Sequence, residues 1–208
     1  MKIHKMKKSN IEYRSNPVQF ETTDSRTVKG LAIPVEARSQ LLYRGSYFYE
    51  TITRNAVNEA LIKNNDVKIY VDHDPSQGTF ARSKNGEGSL HLSITERGLE
   101  FEFEAPNTVF GDMLLEGIKR GDYDAMSFGF VPNAKTEKIE KNEDGTYNRT
   151  INDIDWLNEL SILSQSPAYL DTNVNIRSID DFQEEERAKI LKSLDDKLDE
   201  IEKISNID

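Results

Sequence analysis

The sequence predicts a mainly β protein of the α+β class, a β-barrel or sandwich with short helices packed outside. Three observations favour this class. Short runs alternate between apolar and polar side chains and end at turn signals, as half-buried strands do. The helical patterns are short and do not alternate regularly with strands, so a parallel βαβ sheet is not expected. With 36% hydrophobic and 31% charged residues in 208, the chain supports one domain with a modest core.

The chain begins with a segment that is expected to be irregular and continues into two strands. Residues 1–26 carry four lysines and no acid in their first eight positions, which gives a basic start. The stretch "TVKGLAIPVEA" (27–37) alternates weakly and predicts the first strand of the domain. The stretch "LLYRGSYFYETIT" (41–53) is rich in aromatic and β-forming residues and predicts a second.

A short helix and a buried strand are expected next. Residues 54–63 show helical periodicity, with Thr53 or Asn55 as the expected N-cap. The stretch "DVKIYVDHDPSQGTFARS" then starts as a strand and reaches a turn signal at its proline and glycine. One face of this strand is expected to carry Val67, Ile69, Val71 and His73.

A hairpin and an amphipathic helix occupy the middle of the chain. "SLHLSITE" and "LEFEFEAP" alternate cleanly and turn at 96–98, which predicts an antiparallel pair. A helix is expected over 106–121, with Asn107 or Thr108 as its cap and Gly121 as its C-terminal stop. Its buried face is expected to carry Phe110, Leu114 and Ile118.

The last elements are a strand, an exposed hairpin, a closing strand and a helical tail. "YDAMSFGFVP" (123–132) predicts a buried strand, and Asp144-Gly145 predicts the turn of the hairpin. "IDWLNELSILS" predicts the closing strand, which Pro167 ends. One face of it is expected to carry Leu157, Glu159, Ser161 and Leu163. The tail, 179–208, is acidic and places Leu191, Leu194, Leu198 and Ile201 at helical spacing.

Composition excludes several kinds of site and partner. The chain has no cysteine, so disulfides, thiolate nucleophiles and cysteine-based zinc sites are excluded. Its three histidines are far apart, and neither a metal nor a cofactor is expected. The net charge of −10 argues against general nucleic-acid binding. There is no apolar run of about twenty residues, and the basic start lacks the apolar stretch of a signal peptide, so no membrane span is expected.

Three polar side chains on apolar strands are candidates for chemistry. Ser127 interrupts the apolar run "MSFGF" and shares its face with Gly129, which lets another chain approach closely. His73 ends an apolar stripe, and Glu159 lies on the predicted inward face of the closing strand. Each also has a purely structural interpretation: a serine bonded to backbone, a buried histidine with both nitrogens paired, and a carboxylate paired with arginine, Arg82 or Arg120.

Together the three match the requirements of nucleophilic catalysis. A base takes the serine proton, and a carboxylate fixes the tautomer of that base and stabilises its protonated form. His91 is the alternative base, but the alternation of its strand places it at the surface.

At these residues the chain resembles a known family, the prohead (capsid maturation) serine proteases of tailed bacteriophages. Four stretches carry the resemblance over about 27–178: "VDHDPSQGTFARS", "ITERGLEFEFEAPNT", "LLEGIKRGDYDAMSFGFVP" and "LNELSILSQSPAYLDTNVNIRS". Their order and spacing make the match specific. The resemblance implies a fold similar to herpesvirus assemblin, an antiparallel β-barrel ringed by short helices. It divides the chain into a basic segment (1–26), a protease domain (27–178) and an acidic tail (179–208).

The resemblance also implies a mechanism and a biological role. Ser127 is the expected nucleophile, His73 the general base and Glu159 the third member, with Gly129 and Phe128 shaping the oxyanion or substrate site. The expected substrates are the scaffold, or the scaffold-like arm of the major capsid protein, and the protease itself. Cleavage would take place inside the immature capsid in the host cytoplasm.

The sequence is also compatible with two rival functions and with several roles of the tail. The rivals are a non-catalytic capsid-assembly or scaffold-associated protein and a β-barrel binder of small molecules. The tail is an oligomerisation seam, with self-association through 187–204, or a tether to the scaffold, a propeptide or a solvated helix.

Overall fold

The computed structural model describes residues 11–22, 26–164, 184 and 186–194. The chain divides into two compact units, Met1–Asn175 and Ile176–Asp208. The described strands of the first unit are β1 Glu12–Pro17, β2 Glu21–Thr22, β3 Thr27–Pro34, β4 Leu42–Arg44, β5 Ser46–Ile52, β6 Asp66–Val71, β7 Ala81–Lys84, β8 Glu87–Gly88, β9 Leu90–Thr95, β10 Gly98–Glu104, β11 Ala125–Pro132, β12 Lys138–Lys141, β13 Tyr147–Ile151 and β14 Ile154–Leu163. The helices are α1 Glu59–Lys63 and α2 Val109–Arg120, with single 3-10 turns at Arg54–Ala56 and Pro75–Gln77.

The described strands form three sheets. A six-stranded sheet has the order β1-β11-β14-β6-β7-β8, and two four-stranded sheets have the orders β2-β3-β10-β9 and β12-β13-β5-β4. Most neighbours are antiparallel, but β14 pairs in parallel with β6, and β13 with β5. The mainly β prediction with accessory helices is therefore confirmed. The predicted closed barrel is not confirmed, because these three sheets are open in the part of the chain that the structure describes.

The core lies where the apolar faces of the sheets and α2 meet. Alternation produces this burial: in β10, Leu99, Phe101 and Phe103 are buried while the glutamates between them point away from the core. The six-stranded sheet contributes Ile69 and Leu160 from neighbouring strands. The predicted hairpin of β9 and β10 and the hairpin of β12 and β13 are both confirmed.

The two helices form, with changes in detail. Asn58, rather than Thr53 or Asn55, caps α1, since its side chain accepts a hydrogen bond from the N–H of Leu61. Thr108 caps α2 in the same way, and Gly121 ends it in the left-handed conformation at φ 77°, as predicted. Leu114 and Ile118 are buried in α2, as predicted. Phe110, in the first turn of that helix, is 45% exposed, so its placement on the buried face was wrong.

Several strand predictions also need correction. The stretch 41–53 is a hairpin rather than one strand, because Gly45 at φ 64° turns the chain between β4 and β5. The segment expected to be irregular supplies β1, which pairs with β11 along its whole length.

In β14 a bulge lies opposite Gly129 and Phe130, so Leu157 pairs with Phe130 on the core face. Glu159 therefore faces the other way, and the two residues do not share a face as predicted.

The second unit is described only at 184 and 186–194, where it is helical. Leu191 and Leu194, which belong to the predicted seam, are 61% and 50% exposed. The other two seam positions, Leu198 and Ile201, lie outside the described residues, as does Pro167. None of the described helices is long and apolar enough to span a membrane.

Candidate active site

Ser127 lies in the middle of β11, between β1 and β14. Every residue of this strand is buried, so both of its faces are covered. Ser127 is 3% exposed, and its hydroxyl makes no hydrogen bond with any residue that the structure describes. The interpretation of Ser127 as a core serine bonded to backbone therefore finds no support.

His73 lies just beyond the end of β6, in a tight turn. Asp72 and His73 have φ values of 49° and 58°, the pattern of a type I′ turn, and the Asp74 N–H donates to the Val71 carbonyl at 2.9 Å. The expectation that His73 extends the strand face was wrong, because β6 stops at Val71 and the turn redirects the imidazole. Asp72 does not contact the imidazole but accepts hydrogen bonds from the N–H and hydroxyl of Ser164, at 2.8 and 2.7 Å.

Glu159 is the direct partner of His73. Its Oε1 lies 2.5 Å from Nδ1 of the imidazole. The Ser161 hydroxyl donates to the same carboxylate oxygen at 3.5 Å, and the Asn158 side-chain amide donates to the other at 3.3 Å. The carboxylate side chain is 11% exposed and that of His73 is 34% exposed, so the pair lies at the boundary between interior and solvent.

The arginine alternatives for Glu159 are excluded by the observed pairs. Arg82 binds Asp66 through two bonds of 2.6 Å, and Arg120 lies 3.2 Å from Asp122. His91 is exposed on β9, as expected. Among the described residues, no group of three acidic or histidine side chains is arranged to hold a metal ion.

Strand register places Ser127 beside this pair. Two adjacent rows cross the outer face of the sheet from β1 to β6: one is Ser15, Ser127, Ser161 and Tyr70, and the other is Tyr13, Gly129, Glu159 and Lys68. Ser127 and Glu159 are diagonal neighbours, a spacing of about 7–8 Å between Cα atoms. No hydrogen bond joins His73 to Ser127 in the described structure, so two of the three candidates are in contact and the third lies on the next strand.

Comparison of the sequence with protein families decides what kind of protein this is. The profile of the caudovirus prohead serine proteases matches residues 9–185. The chain belongs to this family. It is therefore a protease of the serine type, a hydrolase of tailed phages that acts in capsid maturation.

Other comparisons add a structural likeness. The capsid assembly protease of bacteriophage T4 aligns with 75% of this chain and 96% of its own, at 11% identity and a TM-score of 0.41. No curated protein sequence matches the prohead protease significantly.

Tyr13 is the residue of this prohead protease site that sequence reasoning missed. Its ring meets the His73 ring edge-on, with centroids 4.8 Å apart and an interplanar angle of 80°. Burial raises the pKa of the Tyr13 phenol, and the nearby Glu159 carboxylate raises it further. Because Tyr13 lies in the segment expected to be irregular, only the polar–apolar alternation of "EYRS" could have indicated it.

Tyr13 also explains why position 129 is a glycine. A Cβ at this position would lie 2.8 Å from Cε1 of Tyr13 and 3.2 Å from Cγ of Glu159. The close approach that the sequence predicted is therefore made by this chain's own tyrosine. Phe128 lies on the opposite face of β11, where it is 2% exposed.

Proposed function

We propose that this prohead protease cleaves peptide bonds with Ser127 as nucleophile, His73 as general base and Glu159 as the group that orients the base. The observation that carries the proposal is the 2.5 Å contact between His73 Nδ1 and Glu159 Oε1, one strand away from Ser127. This contact favours the tautomer in which Nδ1 carries the proton and Nε2 has a free lone pair, which a general base requires.

The reaction follows the acyl-enzyme route. Nε2 of His73 takes the Ser127 proton as Oγ attacks the peptide carbonyl, and the protonated imidazole then gives that proton to the leaving amine. Water hydrolyses the ester with the same base. The missing contact between His73 and Ser127 is compatible with this route, because catalytic hydrogen bonds often tighten only when substrate binds. Gly129 shapes the wall next to the nucleophile, whereas Phe128 supports β11 from its opposite face.

The proposed substrates are the scaffold, or the scaffold-like arm of the major capsid protein, and the protease itself. Family membership supports this choice, since the family acts on the prohead. Cleavage takes place inside the immature capsid in the host cytoplasm, without a cofactor, nucleic acid or membrane. The tail 179–208 supports self-association through 187–204.

The deciding experiment compares intact masses over time for wild type, Ser127→Ala and Ser83→Ala, each mixed with the major capsid protein of the same phage. Ser83 is the matched control, because it is a serine 1% exposed on β7 of the same sheet. Wild type and Ser83→Ala are expected to shorten the capsid protein or themselves, and Ser127→Ala to leave both whole. If all three proteins leave the chains intact, the non-catalytic assembly role takes the place of this proposal.

A further inference from the structure

Ser161 is a buried serine of β14 that lies between the strand of the proposed nucleophile and β6. It is 0% exposed, and strand pairing places it directly opposite Ser127 on β11 and beside Tyr70 on β6. A buried hydroxyl costs free energy unless it is hydrogen-bonded, and an alanine would fill the same space without that cost. The hydroxyl at this position therefore requires a bonding partner.

The partner of this hydroxyl is the carboxylate of Glu159. Ser161 Oγ lies 3.5 Å from Oε1, the same oxygen that His73 Nδ1 contacts at 2.5 Å. No other hydrogen bond of the Ser161 hydroxyl occurs in the described part of the chain. A carboxylate oxygen has two lone pairs, so the hydroxyl and the imidazole can both donate to Oε1.

The other oxygen of the carboxylate has a donor of its own. The Asn158 side-chain amide lies 3.3 Å from Oε2, and Asn158 is the extra residue of the bulge that precedes Glu159. A carboxylate whose two oxygens bond to different groups cannot turn about its terminal bond without breaking one of these contacts. Asn158 and Ser161 together therefore fix its plane, and Ser161 acts on the oxygen that faces His73.

The short side chain of Ser161 is a fixed reference for the longer side chain of Glu159. The two residues are two positions apart on β14, so their side chains lie on the same face of the strand. A serine hydroxyl is one torsion away from the backbone, whereas a glutamate carboxylate is three torsions away. A group that orients a base has to keep one direction, because a small displacement of the base lowers the rate.

The bond between Ser161 and Glu159 is long in the free protein, and the reaction is expected to shorten it. Hydrogen bonds of catalytic groups often tighten only when substrate is bound. When His73 takes the Ser127 proton it becomes positively charged, and the carboxylate must stay directed at Nδ1 while that charge exists. A donor on Oε1 therefore contributes more to the chemical step than to substrate binding, so its loss lowers kcat rather than raising KM.

We propose that Ser161 is a positioning residue of the protease, whose hydroxyl holds Oε1 of Glu159 in the direction from which it orients His73. The proposal rests on the proposed function, because the pair that Ser161 positions is the one that activates Ser127. Ser161 acts through Glu159, and the chemistry itself stays with Ser127 and His73.

Removal of the hydroxyl tests this role. Ser161→Ala is expected to lower kcat on the major capsid protein of the same phage by up to about tenfold, with KM little changed. Labelling of Ser127 by a small fluorophosphonate is expected to slow by a similar factor, since the reagent reacts with an activated serine and needs no extended substrate. Ser161→Thr keeps a hydroxyl on the same carbon and is expected to recover most of the lost rate.

Ser15→Ala is the matched control. Ser15 is the cross-strand partner of Ser127 on β1, on the opposite side of the nucleophile from Ser161. It makes no hydrogen bond to Glu159 in the described structure, so its alanine variant changes the surroundings of Ser127 without touching the carboxylate. Its kcat and its labelling rate are expected to equal those of the wild type.

A second measurement does not depend on catalysis. The Nδ1 proton of His73 is followed by NMR in the Ser127→Ala protein, where self-cleavage is expected to be absent. Adding Ser161→Ala is expected to shift or broaden this resonance, because the carboxylate that accepts the proton is no longer fixed. Adding Ser15→Ala instead is expected to leave the resonance unchanged.

The outcomes separate the role of Ser161 from the proposed function. Slower labelling and a shifted resonance with Ser161→Ala, and neither with Ser15→Ala, support the positioning role. Wild-type labelling and an unchanged resonance with Ser161→Ala overturn that role and leave the proposed function standing. Equal slowing in both alanine variants also overturns it, because packing around Ser127 then accounts for the effect. If wild type is neither labelled nor active, the proposed function fails and the positioning role fails with it.

Discussion

At the scale of single residues, the contact between Tyr13 and His73 predicts different effects for removing the whole Tyr13 ring and for removing only its hydroxyl. An edge-to-face aromatic contact contributes about 0.5–1.5 kcal/mol, which corresponds to as much as a tenfold change in rate if it holds the His73 ring in its productive orientation. Tyr13→Phe keeps the ring and is expected to retain near-normal kcat. Tyr13→Ala is expected to lower kcat up to about tenfold with little change in KM.

A spectroscopic measurement distinguishes this role from a general loss of stability. The Nδ1 proton of His73, bonded to Glu159, is followed by NMR in the folded proteins. Tyr13→Ala should shift or broaden that resonance, and Tyr13→Phe should preserve it. Equal kinetics and spectra for the alanine variant and wild type would show that Tyr13 does not position the imidazole.

At the scale of elements, the turn after β6 stores backbone strain where His73 is presented. A non-glycine residue in the left-handed region costs about 1–2 kcal/mol, and aspartate and asparagine tolerate it best. Asp72→Ala also loses two hydrogen bonds to Ser164, so it is expected to lower the free energy of unfolding by about 1–3 kcal/mol and to reduce cleavage. Asp72→Asn should keep most of the stability and most of the cleavage activity. Urea unfolding and capsid-protein cleavage check this, and indistinguishable alanine and wild-type proteins would contradict it.

Periodicity predicted most elements of the domain but misplaced side chains at irregular points. The alternation of β10 and the caps of α2 are local signals, so the sequence contains them in full. The position of His73 and the face of Leu157 depend on a turn and a bulge. The turn is held by the hydrogen bond from the Asp72 N–H to the Ile162 carbonyl of β14, and the bulge is set by the pairing of β14 with β11. Periodicity along a single strand detects neither feature.

At the scale of the whole molecule, strand order assembles the candidate site from distant parts of the chain. The sequence predicted Ser127, Glu159 and His73 on three separate strands. The strands of Ser127 and Glu159, β11 and β14, are neighbours, and His73 follows the end of β6, which is the other neighbour of β14. The contribution of β1 was not predictable from local pattern, because its pairing with β11 joins residues more than one hundred positions apart. Only the tertiary arrangement brings Tyr13 over Gly129.

A buried charge cluster connects β1 to the sheet that contains β5 and β13. It consists of Glu12, Arg14, Glu50, Glu137 and Arg149, whose side chains are at most 8% exposed. Arg149 bonds to three of these carboxylates. Because three carboxylates face two guanidinium groups, removal of one cation leaves buried negative charge without a partner.

Arg149→Met is therefore expected to lower the free energy of unfolding by about 3–5 kcal/mol. The matched control is Arg82→Met, because Arg82 pairs with Asp66 at the surface, where an ion pair contributes about 0–1 kcal/mol. Urea unfolding of both variants at neutral pH measures the difference. A loss of less than about 1 kcal/mol in Arg149→Met would mean that the cluster does not stabilise the contact between the two sheets.

The same cluster predicts how stability responds to acid. Burial raises the pKa of Glu50, but Arg14 and Arg149 outweigh burial, so its pKa in the folded protein lies below the ordinary value of 4.5. A carboxyl with a lowered folded pKa binds its proton more readily in the unfolded chain. Its stabilising contribution is therefore complete above about pH 4.5 and is lost as the pH falls towards the folded pKa.

The free energy of unfolding of the wild type should accordingly fall as the pH is lowered from about 5 to about 3, by up to about 1.4 kcal/mol per pH unit for each proton that the unfolded state gains. In Arg149→Met, protonation of a cluster carboxylate instead relieves unpaired buried charge, so the fall should be shallower or reversed. Urea unfolding at a series of pH values, with Arg82→Met as the control for a lost surface cation, checks both slopes. Parallel pH dependences in all three proteins would show that the acid response arises outside the buried cluster.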